Sequence, residues 1–249
     1  MQNPIPPTGF AVAIDGPVGV GKSTTARHVA NKLGMTYIDT GAMYRAVALY
    51  NIRAGTNLYD EAAVTASLPD ISIVLSHSKG KQRISLNGED ITDAIRTQAI
   101  SEAASVVASY APVREKLVSE QKALALAGQV VMDGRDIGSH VLPWAQVKIY
   151  LDADVDTRAA RRSMDLTAKG QPVDMAKIRE ETIIRDQRDK TRDHSPLIQA
   201  PDAILIDTSN MTPEEVTKKI ISIAAGPLAN HSRVSAQPVK LHINAPRRK

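Results

Sequence analysis

The segment that most constrains this chain is a glycine-rich octet between an apolar run and a helical pattern. Residues 16–23 read Gly-Pro-Val-Gly-Val-Gly-Lys-Ser and match GxxxxGK[ST] at every fixed position. Residues 10–14 are apolar, as in a buried strand, and a helical pattern runs from Lys22 to Leu33 with Gly34 as its stop. Strand, loop and helix in this order predict a phosphate-binding loop, or P-loop.

The residue types of this loop predict how it binds a nucleotide. Its glycines allow successive backbone N–H groups to converge on a phosphate at a helix N-terminus. Lys22 is expected to reach the β- and γ-phosphate oxygens, and the hydroxyl of Ser23 to bind Mg²⁺. The predicted ATP-binding residues are therefore Gly16, Pro17, Val18, Gly19, Val20, Gly21, Lys22, Ser23 and Thr24.

The remaining apolar runs predict an α/β fold. Strand-like runs at residues 10–14, 35–38, 129–132, 147–151 and 203–206 alternate with helical stretches. This alternation is typical of a doubly wound, five-stranded parallel sheet of the P-loop NTPase type. Residues 69–93 interrupt the pattern with three short strands, two of them joined by Asn87-Gly88, which predicts a small antiparallel insertion.

The C-terminal region divides at a predicted helix end. Thr212, Pro213 and Glu215 form a helix start with a capping box, and Gly226 is expected to end that helix and the folded domain, residues 1–226. Residues 227–249 contain five Lys or Arg and no acid, and taking these charges from the +4 of the whole chain leaves about −1. We expect a basic, disordered tail, with nucleic-acid binding through it as a lesser alternative.

Composition excludes several other classes. The chain has no cysteine, which excludes disulfides and thiolate metal sites. It has no uninterrupted apolar run of membrane-spanning length, and its first residues do not resemble a signal peptide. These observations favour a cytoplasmic protein without a membrane partner.

Polar residues directly follow two of the predicted strands. Asp133-Gly134-Arg135-Asp136 follows the third apolar run, so Asp133 is expected to hold Mg²⁺ through water while Arg135 and Asp136 recognise an acceptor. Residues 39–45 follow the second run, and Thr40 and Arg45 could bind the acceptor there. An ordinary polar turn or helix cap is the alternative for both segments.

A charged stretch follows the fourth strand. Residues 154–196 contain ten Lys or Arg and nine acids with few large apolar residues, which predicts a solvated segment that includes a lid at about residues 154–172. On a helix that begins near Asp174, Arg185, Arg188, Asp189 and Arg192 share one face. Such a face could neutralise two phosphate groups, or it could be a solvated face braced by its acids.

A phosphate loop alone fits kinases, GTPases and motors. The chain lacks an Asn-Lys-x-Asp guanine-reading segment, and the nearest match, Asn31-Lys32-Leu33-Gly34, has no Asp. Phosphoryl transfer to a small molecule is therefore the leading class. The alternatives are a P-loop kinase with another acceptor and a non-enzymatic nucleotide-binding protein that binds nucleic acid through its tail.

Taken together, the motifs resemble those of bacterial cytidylate kinases. The resemblance covers about residues 10–225 and rests on the P-loop and on residues 14–17, 39–45, 95–98, 113–115, 133–138 and 185–192, in order and spacing. This chain departs from many relatives by having Thr40 in place of Ser, and Ser23-Thr24 in place of Gly-Thr. Both changes keep a hydroxyl group.

The resemblance implies a nucleoside monophosphate kinase that transfers phosphate from Mg·ATP to CMP or dCMP. We expect a monomer, because no exposed apolar stripe stands out in the sequence. It implies an acceptor-binding region at about residues 40–110 and a helical lid. The acceptor residues carried over by motif are Thr40, Arg45, Ser105, Arg114, Arg135, Asp136, Arg185 and Asp189, with Arg185 and Asp189 on the cytosine edge. The implied catalytic residues are Lys22, Arg135, Arg192 and the lid residues Arg158 and Arg162.

Overall fold

Parallel strands form the centre of the computed structural model, which describes residues 9–78, 81–126, 128–168, 170 and 172–231. The strands within these ranges are β1 (Ala11–Asp15), β2 (Thr36–Asp39), β3 (Ile73–Ser78), β4 (Lys81–Leu86), β5 (Glu89–Asp90), β6 (Val130–Gly134), β7 (Val147–Asp152) and β8 (Ile204–Asp207). Five of them form one sheet in the order β2-β6-β1-β7-β8, and all its neighbours are parallel. The predicted α/β class and five-stranded sheet are confirmed.

Helices cover both faces of this sheet. They are α1 (Lys22–Leu33), α2 (Thr40–Arg53), α3 (Glu61–Ser67), α4 (Gln98–Val107), α5 (Ala111–Leu126), α6 (Val155–Ala168), α7 (Met175–Thr191) and α8 (Pro213–Asn230). The predicted bounds of α1 and its stop at Gly34, which has φ 66°, are confirmed. Among the described residues, no helix is long and apolar enough to cross a membrane.

The central strand β1 divides the hydrophobic core in two. All five of its residues are buried, as expected for a strand covered on both faces. Ala11 and Ala13 pack with α2, α4 and α5, whereas Val12 and Ile14 pack with α1 and α8. Because β1 pairs in parallel with β6, with Asp15 opposite Gly134, their carboxyl ends lie side by side at the edge where the phosphate loop and the segment with Arg135 begin.

The antiparallel insertion is confirmed as a separate three-stranded sheet, β3-β4-β5. Its turn at Asn87-Gly88 has φ values of 50° and 89°, the left-handed pair that an Asn-Gly hairpin requires. The predicted turn near Lys79-Gly80 lies outside the described residues. The insertion meets the edge of β2, where His77 Nε2 lies 2.8 Å from the Tyr37 carbonyl oxygen and the Asp39 N–H donates to Gln82.

The prediction of a solvated segment at residues 154–196 is wrong for its inner face. Helices α6 and α7 pack against each other, and Asp174 caps α7 by accepting from the Lys177 N–H. Arg158, Asp186 and Asp189 are buried although they are charged. Composition could not reveal this burial because the acids and arginines neutralise each other in pairs inside the fold.

The final helix extends beyond its predicted end. Its capping box at Thr212 is confirmed, but α8 continues through Gly226 and Pro227 to Asn230. The extra turn persists because Leu228 packs against the core and the His231 ring lies edge-on to Phe10, with centroids 5.5 Å apart. The basic residues of the predicted tail, which begin at Arg233, lie outside the described residues.

Candidate active site

The phosphate loop connects β1 to α1 with a backbone that only glycine adopts readily. Gly16, Gly19 and Gly21 have φ values of 148°, 77° and 90°. A Cβ atom on Gly16 would lie 2.1 Å from the Leu151 carbonyl oxygen, so the loop also approaches β7 too closely for a side chain. Lys22 folds back over this loop, and its ammonium donates to the Pro17 carbonyl oxygen at 2.5 Å.

The electrostatic environment of Lys22 is suited to an anion. Its side chain is buried, and burial is the main reason that its pKa is lowered, followed by the nearby charge of Arg135. Asp133 and Asp189 act in the opposite direction but do not restore the usual pKa. A phosphate chain between these cations would relieve their repulsion, because it supplies negative charge where the field is positive.

Ser23 and Asp133, the two residues predicted to bind Mg²⁺, are in direct contact. The Ser23 hydroxyl donates to one carboxylate oxygen of Asp133 at 2.9 Å, and the Tyr37 hydroxyl donates to the other at 2.9 Å. Burial raises the pKa of Asp133 to about 6. Among the described residues, no three acidic or histidine side chains are arranged so that they could hold a metal ion. A hydroxyl and one carboxylate suit Mg²⁺, which keeps several waters and binds substrate phosphates.

The start of α2 contributes the next predicted residues. Asp39 caps this helix by accepting from the Ala42 N–H at 3.0 Å, and it pairs with Arg45 at 2.8 Å. The buried hydroxyl of Thr40 donates to the Asp133 carbonyl oxygen at 2.7 Å. Thr40 is therefore bonded to the backbone of Asp133, and Arg45 is held in place by the acid that caps its own helix.

Arginines and carboxylates from three segments meet on the other side of the site. Arg135, after β6, donates to Asp189 of α7 at 2.7 Å. Asp136 pairs with Arg114 of α5, and with Arg192 at a longer distance of 3.6 Å. Each carboxylate pairs with an arginine from a different segment of the chain, so the cluster is already assembled without a ligand.

Arg185 and Asp189 differ in how burial affects their charge. Burial, with Arg135 as the next cause, lowers the pKa of Arg185 to about 10, and its Nε atom is buried without a hydrogen-bond partner. Burial alone would raise the pKa of Asp189, but Arg135 and Arg185 outweigh it and the net pKa is lowered. Asp189 is therefore an ionised acceptor, and Arg185 has unused donor capacity.

A single cavity of about 560 Å³ contains most of the predicted residues. It is lined by residues of the phosphate loop from Val18 to Thr24 and by Thr40, Arg45, Ser105, Arg114, Asp133, Arg135, Asp136, Arg162, Arg185, Asp189 and Arg192. The hydroxyl of Ser105 is buried in this wall without a hydrogen-bond partner. Gly16 and Pro17 lie outside the lining, as expected for residues that shape the loop backbone.

The two predicted lid arginines are placed differently. Arg162 lines the cavity and donates to Gln98 of α4. Arg158 does not line it, because its guanidinium donates to the carbonyl oxygens of Ala153 and Val18, at 2.9 Å and 3.1 Å, and pairs with Asp186 at 2.6 Å. In this structure Arg158 supports the phosphate loop through the Val18 carbonyl oxygen and does not line the cavity.

The structure adds residues to the site that sequence analysis did not assign. Tyr44 lines the cavity, and the Arg114 guanidinium lies 5.5 Å from the centre of its ring. Its place in the quoted 39–45 motif was the available signal. Arg161 donates to the Thr208 carbonyl oxygen at 2.6 Å and lines the cavity together with Met211. No local pattern marks this part of the lining, because α6 and the segment between β8 and α8 meet only in the folded chain.

The chain is similar to known proteins over most of its length. Residues 12–225 match the family model described as Cytidylate kinase. The cytidylate kinase of Geobacillus thermodenitrificans is 50% identical over 214 residues, which cover 86% of this chain and 96% of that protein. The cytidylate kinase of Shouchella clausii is 44% identical over 225 residues, which cover 90% and 98%. On this similarity and on the residues of its cavity, the chain belongs to the cytidylate kinase family.

Proposed function

We propose that this protein transfers the γ-phosphoryl group of ATP to CMP and dCMP, giving ADP and CDP or dCDP. Membership of the cytidylate kinase family supports the reaction class. The observation that carries the proposal is the composition of the cavity, which has the phosphate loop with Lys22 on one side and the paired arginines on the other. Such a cavity suits two anionic substrates that must approach each other.

The donor phosphates would bind the loop N–H groups and Lys22. Ser23 and Asp133 would hold Mg²⁺, which when bound to ATP neutralises charge on the β- and γ-phosphate oxygens. Ser23 would bind the ion through its hydroxyl and Asp133 through water, and both side chains offer oxygen, the ligand that a hard cation prefers.

The acceptor would bind the arginine cluster through its phosphate and base. Arg45, Arg114 and Arg135 are proposed to bind the CMP phosphate, while Thr40, Ser105 and Asp136 contact the rest of the nucleotide. Asp189 is ionised and accepts hydrogen bonds, so it suits the amino group of cytosine, and Arg185 donates to a ring acceptor. Uracil has a carbonyl oxygen in place of that amino group and would meet a carboxylate unfavourably.

The transfer itself needs no general base. A phosphate oxygen of CMP is already anionic, and it forms the new P–O bond while the bond to the β–γ bridging oxygen breaks and its electrons leave with ADP. Lys22, Arg135, Arg162 and Arg192 would neutralise charge on the moving group. Arg158 would act through the shape of the phosphate loop. Monomeric state and cytoplasmic location remain predictions from the sequence.

The test is ADP formation with a panel of acceptors. We expect CMP and dCMP to give rapid ADP release in the presence of Mg²⁺, and UMP, AMP, shikimate and no acceptor to give little. Asp189→Asn should reduce the preference for CMP over UMP, because the amide can donate as well as accept. Equal ADP release with all acceptors would contradict the proposal, and rapid release with shikimate alone would favour a different small-molecule kinase.

A further inference from the structure

The last residue of β1 connects the phosphate loop, which would bind the donor, to the segment that bears Arg135 and Asp136, which would bind the acceptor. Asp15 immediately precedes the phosphate loop, and its side chain is buried. One carboxylate oxygen accepts from the Ile137 N–H at 2.8 Å, and the other accepts from the Gly138 N–H at 2.7 Å. These N–H groups begin the helical turn that directly follows Arg135 and Asp136. The reaction described above does not use Asp15.

Little free space surrounds Gly138 in this turn. A Cβ atom on Gly138 would lie 3.4 Å from the Asp15 carboxylate and 3.2 Å from Cδ of Lys148. The ammonium of Lys148 is directed elsewhere, to the Pro143 carbonyl oxygen at 2.6 Å and to Asp202 at 2.8 Å. The direct partners of Asp15 are therefore two backbone groups whose positions depend on the turn, not on a flexible side chain.

The charge of Asp15 also interacts with Lys22 of the phosphate loop and with Asp136. Burial raises the pKa of Asp15 to about 7, the hydrogen bonds from Gly138 and Ile137 lower it, and the charges of Asp136 and Lys22 act in opposite directions. Residue 15 pairs with Gly134 across β1 and β6, so the two loops leave the sheet from adjacent positions. A carboxylate that bridges them restricts how far one loop can move against the other.

We propose that Asp15 is a positioning residue that holds the loop bearing Arg135 and Asp136 against the phosphate loop, and so sets the acceptor phosphate in line with the γ-phosphate. This inference rests on the proposed transfer to CMP. Misplacement of reacting groups by 1 Å can cost about 10²-fold in rate, so a short bridge between the two loops has a large effect.

The test is the isosteric variant Asp15→Asn in the full chain. Its amide can accept from only one of the two N–H groups, because its NH₂ group faces the other donor. We expect kcat/KM for CMP to fall about 10²-fold, while the Kd for ATP, measured directly by calorimetry, changes less than about threefold. Asp60→Asn is the control, since Asp60 also accepts from a helix N-terminal N–H, at Ala63, but is exposed at the start of α3.

A second measurement separates positioning from general loss of structure. Asp15→Asn and Asp136→Asn should be non-additive in kcat/KM for CMP, because both act on the same loop. If Asp15→Asn does not fold, Asp15→Glu, which keeps the carboxylate but displaces it by one methylene group, carries the same expectation. Equal losses for CMP and ATP, unchanged kinetics or additive effects would overturn the inference. No CMP-dependent ADP release by the unmodified protein would instead overturn the proposed function, and this inference with it.

Discussion

The donor and acceptor halves of the cavity are built in different ways. The donor half is a contiguous loop, residues 16–23, whose geometry comes from the backbone and three glycines with positive φ. The acceptor half collects side chains from α2, α4, α5, α7 and the segment after β6. Local sequence can encode the backbone of the first half, whereas the second half exists only when distant segments meet.

The two halves also hold their cations differently. Lys22 rests on a carbonyl oxygen, and its pKa is lowered by burial and by Arg135. Arg135, by contrast, already pairs with Asp189 at 2.7 Å. We infer that the donor half gains most from its ligand, because the phosphate chain is the missing negative charge, while carboxylates position the acceptor half beforehand.

The largest expected effect tests the donor half through Lys22→Ala. Because Lys22 is expected to stabilise charge on the transferring group, we expect kcat to fall about 10³-fold without loss of fold, measured by ADP release and circular dichroism. Lys32→Ala, at the exposed end of the same helix, is the control and should leave kcat unchanged. Near-normal turnover in Lys22→Ala would remove Lys22 from the mechanism.

The next effect concerns the support beneath the phosphate loop. Arg158→Met leaves Asp186 buried without its ion-pair partner and should lower the free energy of unfolding by about 3 kcal/mol in urea titrations. Arg179→Met breaks an exposed pair with Asp156, also at 2.6 Å, and should cost less than about 1 kcal/mol. Equal losses in the two variants would mean that Arg158 has no supporting role.

Arg135→Met tests the acceptor half. We expect kcat/KM for CMP to fall about 10²-fold, since the variant removes a phosphate-binding cation and the partner that orients Asp189. The Kd for ATP should change much less, because the loop backbone carries donor binding. Arg53→Met, in an exposed pair with Glu89, is the control. A larger loss of ATP binding than of CMP use would contradict the division into two halves.

The smallest effect concerns Asp15, which lies where the halves join. Its pKa is raised from 3.8 in the unfolded reference to about 7, so the native protein binds more protons between these values. The free energy of unfolding should therefore fall as pH rises through this range and level off above it. Between pH 5 and pH 8, the unliganded protein should lose about 2 kcal/mol more than Asp15→Asn does. Parallel curves in urea titrations would exclude the raised pKa.

Much of the fold was predictable from local chemistry. The P-loop, the cap at Gly34, the hairpin turn at Asn87-Gly88 and the capping box at Thr212 each depend on a few neighbouring residues, and all four agree with the structure. The end of α8 was not predictable. Gly226 and Pro227 indicate a helix stop locally, but the packing of Leu228 on the core outweighs that signal.

For the candidate site, the members could be predicted from sequence but their pairing could not. Family motifs indicated which arginines and aspartates belong near the acceptor, and the cavity brings nearly all of them together. They did not indicate which acid pairs with which arginine, nor that Arg158 faces the underside of the phosphate loop. Helical spacing gives the face on which a residue lies, but not the partner that another element brings to it.

Local sequence is enough to predict the order of strand, phosphate loop and helix, the five-stranded α/β fold and the antiparallel insertion. Glycine φ angles, capping residues and apolar periodicity each act over a few neighbouring positions. The pairing of Arg135 with Asp189, the burial of Asp186 against Arg158 and the bridge from Asp15 to Gly138 arise only when the chain has folded. These contacts join residues far apart in the chain, and their charges are tolerated in the interior only where a partner is supplied.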